Sequence, residues 1–371
     1  MSLPALEFGD LVATLPIIQG GMGIGISMHR LASAVAAGGG IGVISTAGIA
    51  FDEPDVIKNK DEANQRALAC EIRKARELSE GIIGVNVMGV LQDFAVQVRT
   101  AISEKIDVIF SGSSLPLDLP KYLQDLCEEK QQQFHTKLVP ILSSARAASI
   151  VCRKWLSRFD YLPDGIVIEG PKAGGHLGFK PEEIDNPEFA LEKLIPATVE
   201  AMKPFEDKAG RKVPVIAAGG VFNGEDVYNI MELGASGVQL GTRFVATEEC
   251  DADHRFKQAY IDARSEDAVI IKSPVGLPGR ALGCDFLKRL NGHGELVACK
   301  FSCISTCDPS NAPYCISSAL RNAMCGKLES GFVFCGSNVG RVEAITTVAE
   351  LLDSIKQEYE SAKAGFFKVS A

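Results

Sequence analysis

Eight short apolar runs, each followed by a helix-like stretch, pace the chain from Leu15 to about Arg264. They are Pro16–Gln19, Ile41–Ser45, Ile82–Val87, Asp107–Phe110, Lys137–Leu142, Gly165–Glu169, Val213–Ala218 and Gly237–Leu240. Continuous rather than alternating apolarity is what a strand shows when both faces of a parallel sheet are covered. The intervening helices are expected at Met28–Ala37, Glu62–Ser79, Leu91–Ser103, Leu119–Lys130, Ala145–Arg158, Pro187–Met202 and Gly224–Leu233, with the eighth near Asp253–Arg264. Strand–helix alternation gives an α/β fold, and eight repeats select a closed (β/α)8 TIM barrel over an open doubly wound sheet. An open sheet also lacks its fingerprint here. Gly20–Gly21–Met22–Gly23 only loosely matches a dinucleotide loop, and no acidic residue follows at the second strand end.

After residue 268 the rhythm breaks. The expected division is a barrel over 1–268, a Cys-rich irregular lobe or lid over 269–340, and a C-terminal helix over 341–371 that packs back on the barrel. Of 11 cysteines, Cys299, Cys303, Cys307, Cys315, Cys325 and Cys335 fall in this lobe. Cys299, Cys303, Cys307 and Cys315 are a candidate ligand set for an iron–sulfur cluster or Zn, although their spacing matches neither paired zinc motifs nor ferredoxin runs. The alternative is a lobe in which small apolar thiols are simply buried.

Net charge of −9 argues against nucleic acid as the main partner. A local basic patch at Lys272, Arg280, Lys288, Arg289 and Lys300 is a candidate docking surface for an acidic carrier protein. Leu31–Phe51 carries no charge, yet its Gly38–Gly39–Gly40 break reads as helix, turn and strand rather than a membrane span. Without a visible signal peptide the expectation is a cytoplasmic protein with free thiols, and a homodimer.

In a barrel of this kind the strand C-termini carry the site. They present Gly20–Gly23, Ser45–Thr46, Asn86–Met88, Ser111–Gly112, Ser143, Glu169–His176, Gly219–Gly220 and Gly241–Thr242. Small residues after the seventh and eighth strands suit a phosphate-bearing ligand, or mere tight turns. Of the histidines at 29, 135, 176, 254 and 293, only His176 lies in a glycine-rich loop at a strand's catalytic end, where an imidazole can move a proton near neutral pH. Lys172 in that loop can neutralise negative charge on a ligand. Glu169 is the strong carboxylate there.

Five segments, GGMGIGIS, GVNVM, AGGHLG, PVIAAGG and VQLGTRF, occur in this order between residues 20 and 244, and the likeness they carry covers about residues 10–290. They resemble the FMN-dependent nitronate monooxygenases and the related flavin-dependent enoyl-ACP reductases. The resemblance implies that Gly21, Met22 and Gly23 meet the flavin ring, with Thr46 nearby, and that Asn86 hydrogen-bonds it. It implies that Gly174, Gly175, Gly219, Gly220, Gly241 and Thr242 cradle ribityl and phosphate beside Gln239 and Lys172, and that His176 is catalytic. Lys172 departs from the pattern, in which an acidic residue is common. The activity implied is nitronate oxidation with O2 on a small-molecule substrate. The rival is an enoyl thioester reductase using NAD(P)H and an acyl carrier protein. A flavin-free phosphate-sugar lyase or isomerase is the more distant alternative.

Overall fold

The computed structural model describes residues 3–290 and 299–369. His293 and the rest of 291–298 lie outside the described residues. Eight parallel strands follow one another around a barrel: β1 (Ile17–Gln19), β2 (Gly42–Ser45), β3 (Ile83–Met88), β4 (Val108–Gly112), β5 (Lys137–Leu142), β6 (Ile166–Glu169), β7 (Val215–Ala218) and β8 (Gly237–Leu240). β8 pairs with β1, and a parallel bridge between Ile18 and Ile41 closes the ring. Strand burial is nearly complete in β2, β4 and β7, as continuous apolar runs require when side chains fill the barrel on one face and meet helices on the other.

Helices α1 (His29–Ala37), α2 (Lys60–Leu78), α3 (Phe94–Ser103), α4 (Leu119–Lys130), α5 (Ala145–Phe159), α6 (Leu191–Ala209) and α7 (Gly224–Glu232) follow strands one to seven. Leu31–Phe51 divides into α1, a turn and β2, and no helix among the described residues is long and apolar enough to cross a membrane. The sixth helix differs from expectation. Pro187 opens a separate 3-10 turn, Pro187–Phe189, and α6 begins at Leu191 and continues to Ala209 with Pro196 and Pro204 inside it.

The eighth helix is the main correction. His254–Ile261 is helical, but it is Val348–Val369 that packs against both α7 and α1. Val348, Leu351, Leu352, Ile355 and Tyr359 are buried along that seam. The approach to α7 is close: a Cβ on Gly224 would lie 2.1 Å from the Ile355 carbonyl oxygen. The Glu358 carboxylate accepts from the Gly224 N–H at 2.7 Å, at the start of α7 where negative charge is favoured. Strand–helix order alone gives this place to the nearer segment because nothing local distinguishes two amphipathic helices competing for one groove.

A second feature lies outside the eight-repeat pattern. Leu6–Phe8 and Leu11–Ala13 form an antiparallel hairpin, and Leu6, Phe8 and Ala13 join Ile18, Val43, Phe110, Val167 and Ile216 in one buried cluster. The hairpin stoppers the N-terminal end of the barrel.

Beyond the barrel, Ala268–Lys272 and Pro278–Leu282 form an antiparallel pair that takes Gly175–His176 as its third strand. Val275, Ala281, Tyr314, Ile316, Ala319 and Phe332 make a separate apolar cluster above it. Among the described residues no group of three thiols, imidazoles or carboxylates is placed to hold a metal. Cys303 Sγ instead lies 3.0 Å from Ser317 Oγ, and Cys315 Sγ accepts from Ser318 at 3.3 Å. The candidate set Cys299, Cys303, Cys307 and Cys315 is therefore not assembled. Thiols satisfied by neighbouring hydroxyls fit the alternative of small apolar side chains in a compact segment. Arg280 also leaves the proposed basic patch. It is 8% exposed, whereas Lys272, Lys288 and Arg289 are exposed.

Candidate active site

The strand C-termini open on a cavity of about 500 Å3. Its walls bring together Gly21, Met22, Gly23, Asn86, Lys172, Gly174, Gly175, His176, Gly219, Gly220, Gln239, Gly241 and Thr242. Of the residues singled out as candidates at the barrel mouth, Thr46 is not in the wall. It is fully buried, and its N–H and hydroxyl both donate to the Asn86 carbonyl at 3.1 Å. It braces Asn86 from beneath.

Each wall segment is held by local hydrogen bonds. After β1, Ser27 Oγ accepts from the Met22 N–H at 2.9 Å and from the amide of Gln19, whose own oxygen accepts from Val43 N–H at 2.9 Å. A fully buried Gln19 thus ties the Gly20–Gly23 turn to β2. At the end of β7, Gly219 and Gly220 have φ of +87° and +95°, the left-handed side that favours glycine. A Cβ at Gly219 would also stand 2.8 Å from the Gly170 carbonyl oxygen. After β8, Gly241 precedes a short helix, Thr242–Val245. This is the arrangement in which barrels of this kind hold phosphate.

His176 is not a free loop residue. It is pinned in the three-stranded sheet opposite Gly279, its ring meets Phe334 edge-on at 5.1 Å, and Nε2 lies 2.7 Å from Ser273 Oγ. Burial pushes the imidazole down to about 4, so it is neutral at physiological pH. Glu169 ends β6 in the same wall, and burial pushes its carboxyl up to about 7. Lys172 is exposed at the rim, its stem lying against Gly220.

Several site residues come from beyond the barrel and were missed in the sequence. Ser273, 3% exposed, sits in the turn Ser273–Gly276 between two apolar runs. The Pro-x-Gly within that turn was a readable hairpin signal. Arg280 donates to the Pro171 carbonyl at 2.7 Å and to the Ala173 carbonyl at 3.3 Å, bracing the back of the His176 loop. Gly336 N–H donates to Thr242 Oγ1 at 3.0 Å, Ser337 N–H to the Lys172 carbonyl at 3.1 Å, and Asn338 Nδ2 to the Gly220 carbonyl at 2.7 Å. Residues 336–338 thereby join the loops after β6, β7 and β8. Ser337 Oγ is buried and has no hydrogen-bond partner among the described residues.

A model of the nitronate monooxygenase family matches residues 8–358. The (3aS,4S,5R,7aS)-5-hydroxy-7a-methyl-1-oxo-octahydro-1H-indene-4-carboxyl-CoA dehydrogenase of Mycobacterium tuberculosis is 28% identical over 275 residues, covering 74% of this chain and 65% of that protein. The chain thus spans just under two thirds of that relative's length. A probable nitronate monooxygenase of Staphylococcus aureus is 27% identical over 304 residues, covering 75% of this chain and 78% of that protein. Among solved structures, FabK from Thermotoga maritima superposes with a TM-score of 0.73 at 27% identity, covering 96% of each chain. With the family model matched from the N-terminal hairpin into the last helix, the chain belongs to the nitronate monooxygenase family of oxidoreductases.

Proposed function

We infer that this chain is an FMN-dependent monooxygenase that oxidises alkyl nitronates with O2 to carbonyl compounds. The observation that carries the reading is the pairing of a neutral, half-buried imidazole with a glycine-lined wall after β7 and β8 across one cavity.

The residues present fit a flavin mononucleotide. Gly219 and Gly220 leave backbone where any Cβ would intrude, Thr242 starts a short helix beside them, and Ser337 Oγ is a buried hydroxyl lacking a partner among the described residues. A buried hydroxyl without a partner costs about 1–3 kcal/mol, and rotation about its single χ1 bond offers it to a ligand oxygen in the cavity its residue lines. Gly219, Gly220, Gly241, Thr242 and Ser337 would hold the phosphate. Gly21, Met22, Gly23 and Asn86 would meet the ring. When bound, the flavin supplies the redox step, taking electrons from the substrate and giving them to O2.

The remaining work falls to the protein. Ser273 fixes one nitrogen of His176, and Phe334 fixes the plane of its ring. The other nitrogen, Nδ1, has no protein partner among the described residues and is available to orient a nitronate. Arg280 and residues 336–338 hold the loop that carries the imidazole.

The second reading is an NAD(P)H-dependent reductase of enoyl thioesters. It is favoured by the likeness to FabK and by the carboxyl-CoA in the name of the mycobacterial relative. An acyl carrier protein would dock on the exposed Lys272, Lys288, Arg289 and Lys300. One experiment separates the two. Purified protein is loaded with FMN, its visible spectrum is recorded, and NADPH or a nitronate is added under air. Nitronate-dependent oxygen uptake without NADPH is expected. Rapid bleaching by NADPH with no nitronate turnover would replace the first reading by the second.

A further inference from the structure

The thiols of the segment after the barrel are reactive groups that the flavin reading leaves unused. All 11 cysteines are free, and among the described residues no group of them is placed to hold a metal. Two nevertheless converge. Cys303 lines the cavity wall, and its Sγ lies 3.0 Å from Ser317 Oγ. Cys315 stands at the start of the helix Ile316–Met324, and its Sγ accepts from Ser318 Oγ at 3.3 Å. Ser317 and Ser318 are consecutive, so both sulfurs meet the first turn of one helix.

The backbone holds this arrangement from the other side. Ile304 bridges antiparallel to Leu91, flanked by Gln92 N–H donating to the Cys303 carbonyl at 3.1 Å and Ser305 N–H to the Val90 carbonyl at 2.9 Å. Cys303 is thus anchored to the loop after β3 while its sulfur faces the helix. Burial pushes the Cys303 thiol up, and among its thiol neighbours Cys315 adds more to that than Cys299 does. A thiol kept protonated in this way reacts slowly by itself and needs an oxidised sulfur beside it. Cys299 is exposed, and Cys307 follows a turn in which its N–H donates to the Ile304 carbonyl at 3.4 Å. Neither meets a hydroxyl of the helix among the bonds described for 303 and 315.

We propose that Cys303 and Cys315 form an oxidation site that hydrogen peroxide closes to a disulfide. The Cys315 sulfur attacks one peroxide oxygen. An S–O bond forms, the O–O bond breaks and water leaves. The Cys303 sulfur then attacks the sulfenic acid. The S–S bond forms, the S–O bond breaks and a second water leaves. The two thiols give up two electrons and two protons, and the peroxide takes both. The inference goes beyond the flavin reaction and holds for either substrate reading. Its consequence lies in the cavity. Cys303 and Ile304 on one side, and Ile316, Ser317 and Leu320 on the other, line the same wall. The bond joins these two parts covalently and releases the serine hydroxyls from the sulfurs.

The test treats FMN-loaded full-length protein with a small excess of hydrogen peroxide, alkylates the remaining thiols and maps the peptides by mass spectrometry. Trypsin releases peptide 301–321, which carries Cys303, Cys307 and Cys315. Chymotrypsin, cutting after Tyr314, then parts Cys303 from Cys315 unless they are bonded. The expected result is a pair of fragments that stays joined after that cut and separates on reduction, with Cys307 alkylated. The melting temperature should rise by about 5 °C on oxidation and return with dithiothreitol. Cys303→Ser and Cys315→Ser should each show no joined fragments and no rise, while Cys307→Ser should behave as wild type. The wild-type map decides alone if a variant does not fold. A bond mapped to Cys299 or Cys307, a sulfinic acid on an unbonded Cys303 or Cys315, or two thiols that remain open to alkylation after peroxide would overturn the assignment. So would stoichiometric zinc or iron in the reduced protein that is lost on substituting Cys303.

Discussion

His176 and Glu169 are both half-buried, and loss of solvent in the cavity wall moves them in opposite directions: the imidazole from 6.5 to about 4, the carboxyl from 4.5 to about 7. Between pH 4.5 and 6.5 the unfolded chain protonates the imidazole while the folded one does not, so this residue makes stability rise with pH. Over the same window the folded chain keeps a proton on the carboxyl that the unfolded one loses, so this residue makes stability fall with pH. The two slopes oppose each other in the native protein. Thermal scans of the apoprotein against pH should show stability falling more steeply with rising pH in His176→Asn than in wild type, and rising more steeply in Glu169→Gln. Parallel curves for all three proteins would show that neither burial persists in solution. His176→Asn should also lower turnover about a hundredfold or more with flavin still bound, measured by oxygen uptake against flavin content.

Ser337 makes a complementary prediction. Ser337→Ala removes a buried hydroxyl that lacks a partner among the described residues. The apoprotein should melt at the same temperature or higher, while FMN affinity, read by fluorescence quenching, falls by about tenfold. His176 was legible because its glycine loop directly follows an apolar run. Ser337, Asn338 and Arg280 were not, because their roles arise from contacts with loops more than 90 residues away in sequence, and no local pattern announces such a partner.

At the level of elements, the strands were readable to within a residue or two because double burial writes itself as uninterrupted apolarity. The terminal hairpin was passed over although Leu6-Glu7-Phe8 alternates buried, exposed, buried around a Gly9–Asp10 turn. Its strands of three residues are too short to stand out against a pattern of eight longer repeats. The substituted eighth helix carries its own prediction. Leu352 is 1% exposed and fills the notch left by Gly38, where a Cβ would meet its Cδ1 at 2.3 Å. Leu352→Ala should destabilise the protein by about 2–5 kcal/mol in chemical denaturation. Gly224→Ala, which forces α7 away from the Ile355 backbone, should lower the melting temperature as well. A small effect of both would mean that Val348–Val369 is an appendage rather than part of the barrel's outer ring.

For the whole molecule, the site is complete only when the chain has returned twice to the barrel mouth, first with the strands around Ser273 and then with residues 336–338. A ligand that engages these segments binds the folded state alone. At a hundredfold excess over its Kd it should add about 2.7 kcal/mol of stability. FMN is expected to raise the melting temperature measurably, and riboflavin, which lacks the phosphate for the cradle at Gly219–Gly220 and Thr242, should raise it far less at equal concentration. Equal shifts would move the grip from phosphate to ring.

The hairpin plug sets the direction of traffic. With Leu6 and Phe8 buried across the lower rim, the cavity among the described residues opens at the strand C-termini, alongside residues 303–338. A ligand that reaches the barrel mouth would then meet a segment that the eight-repeat pattern does not contain.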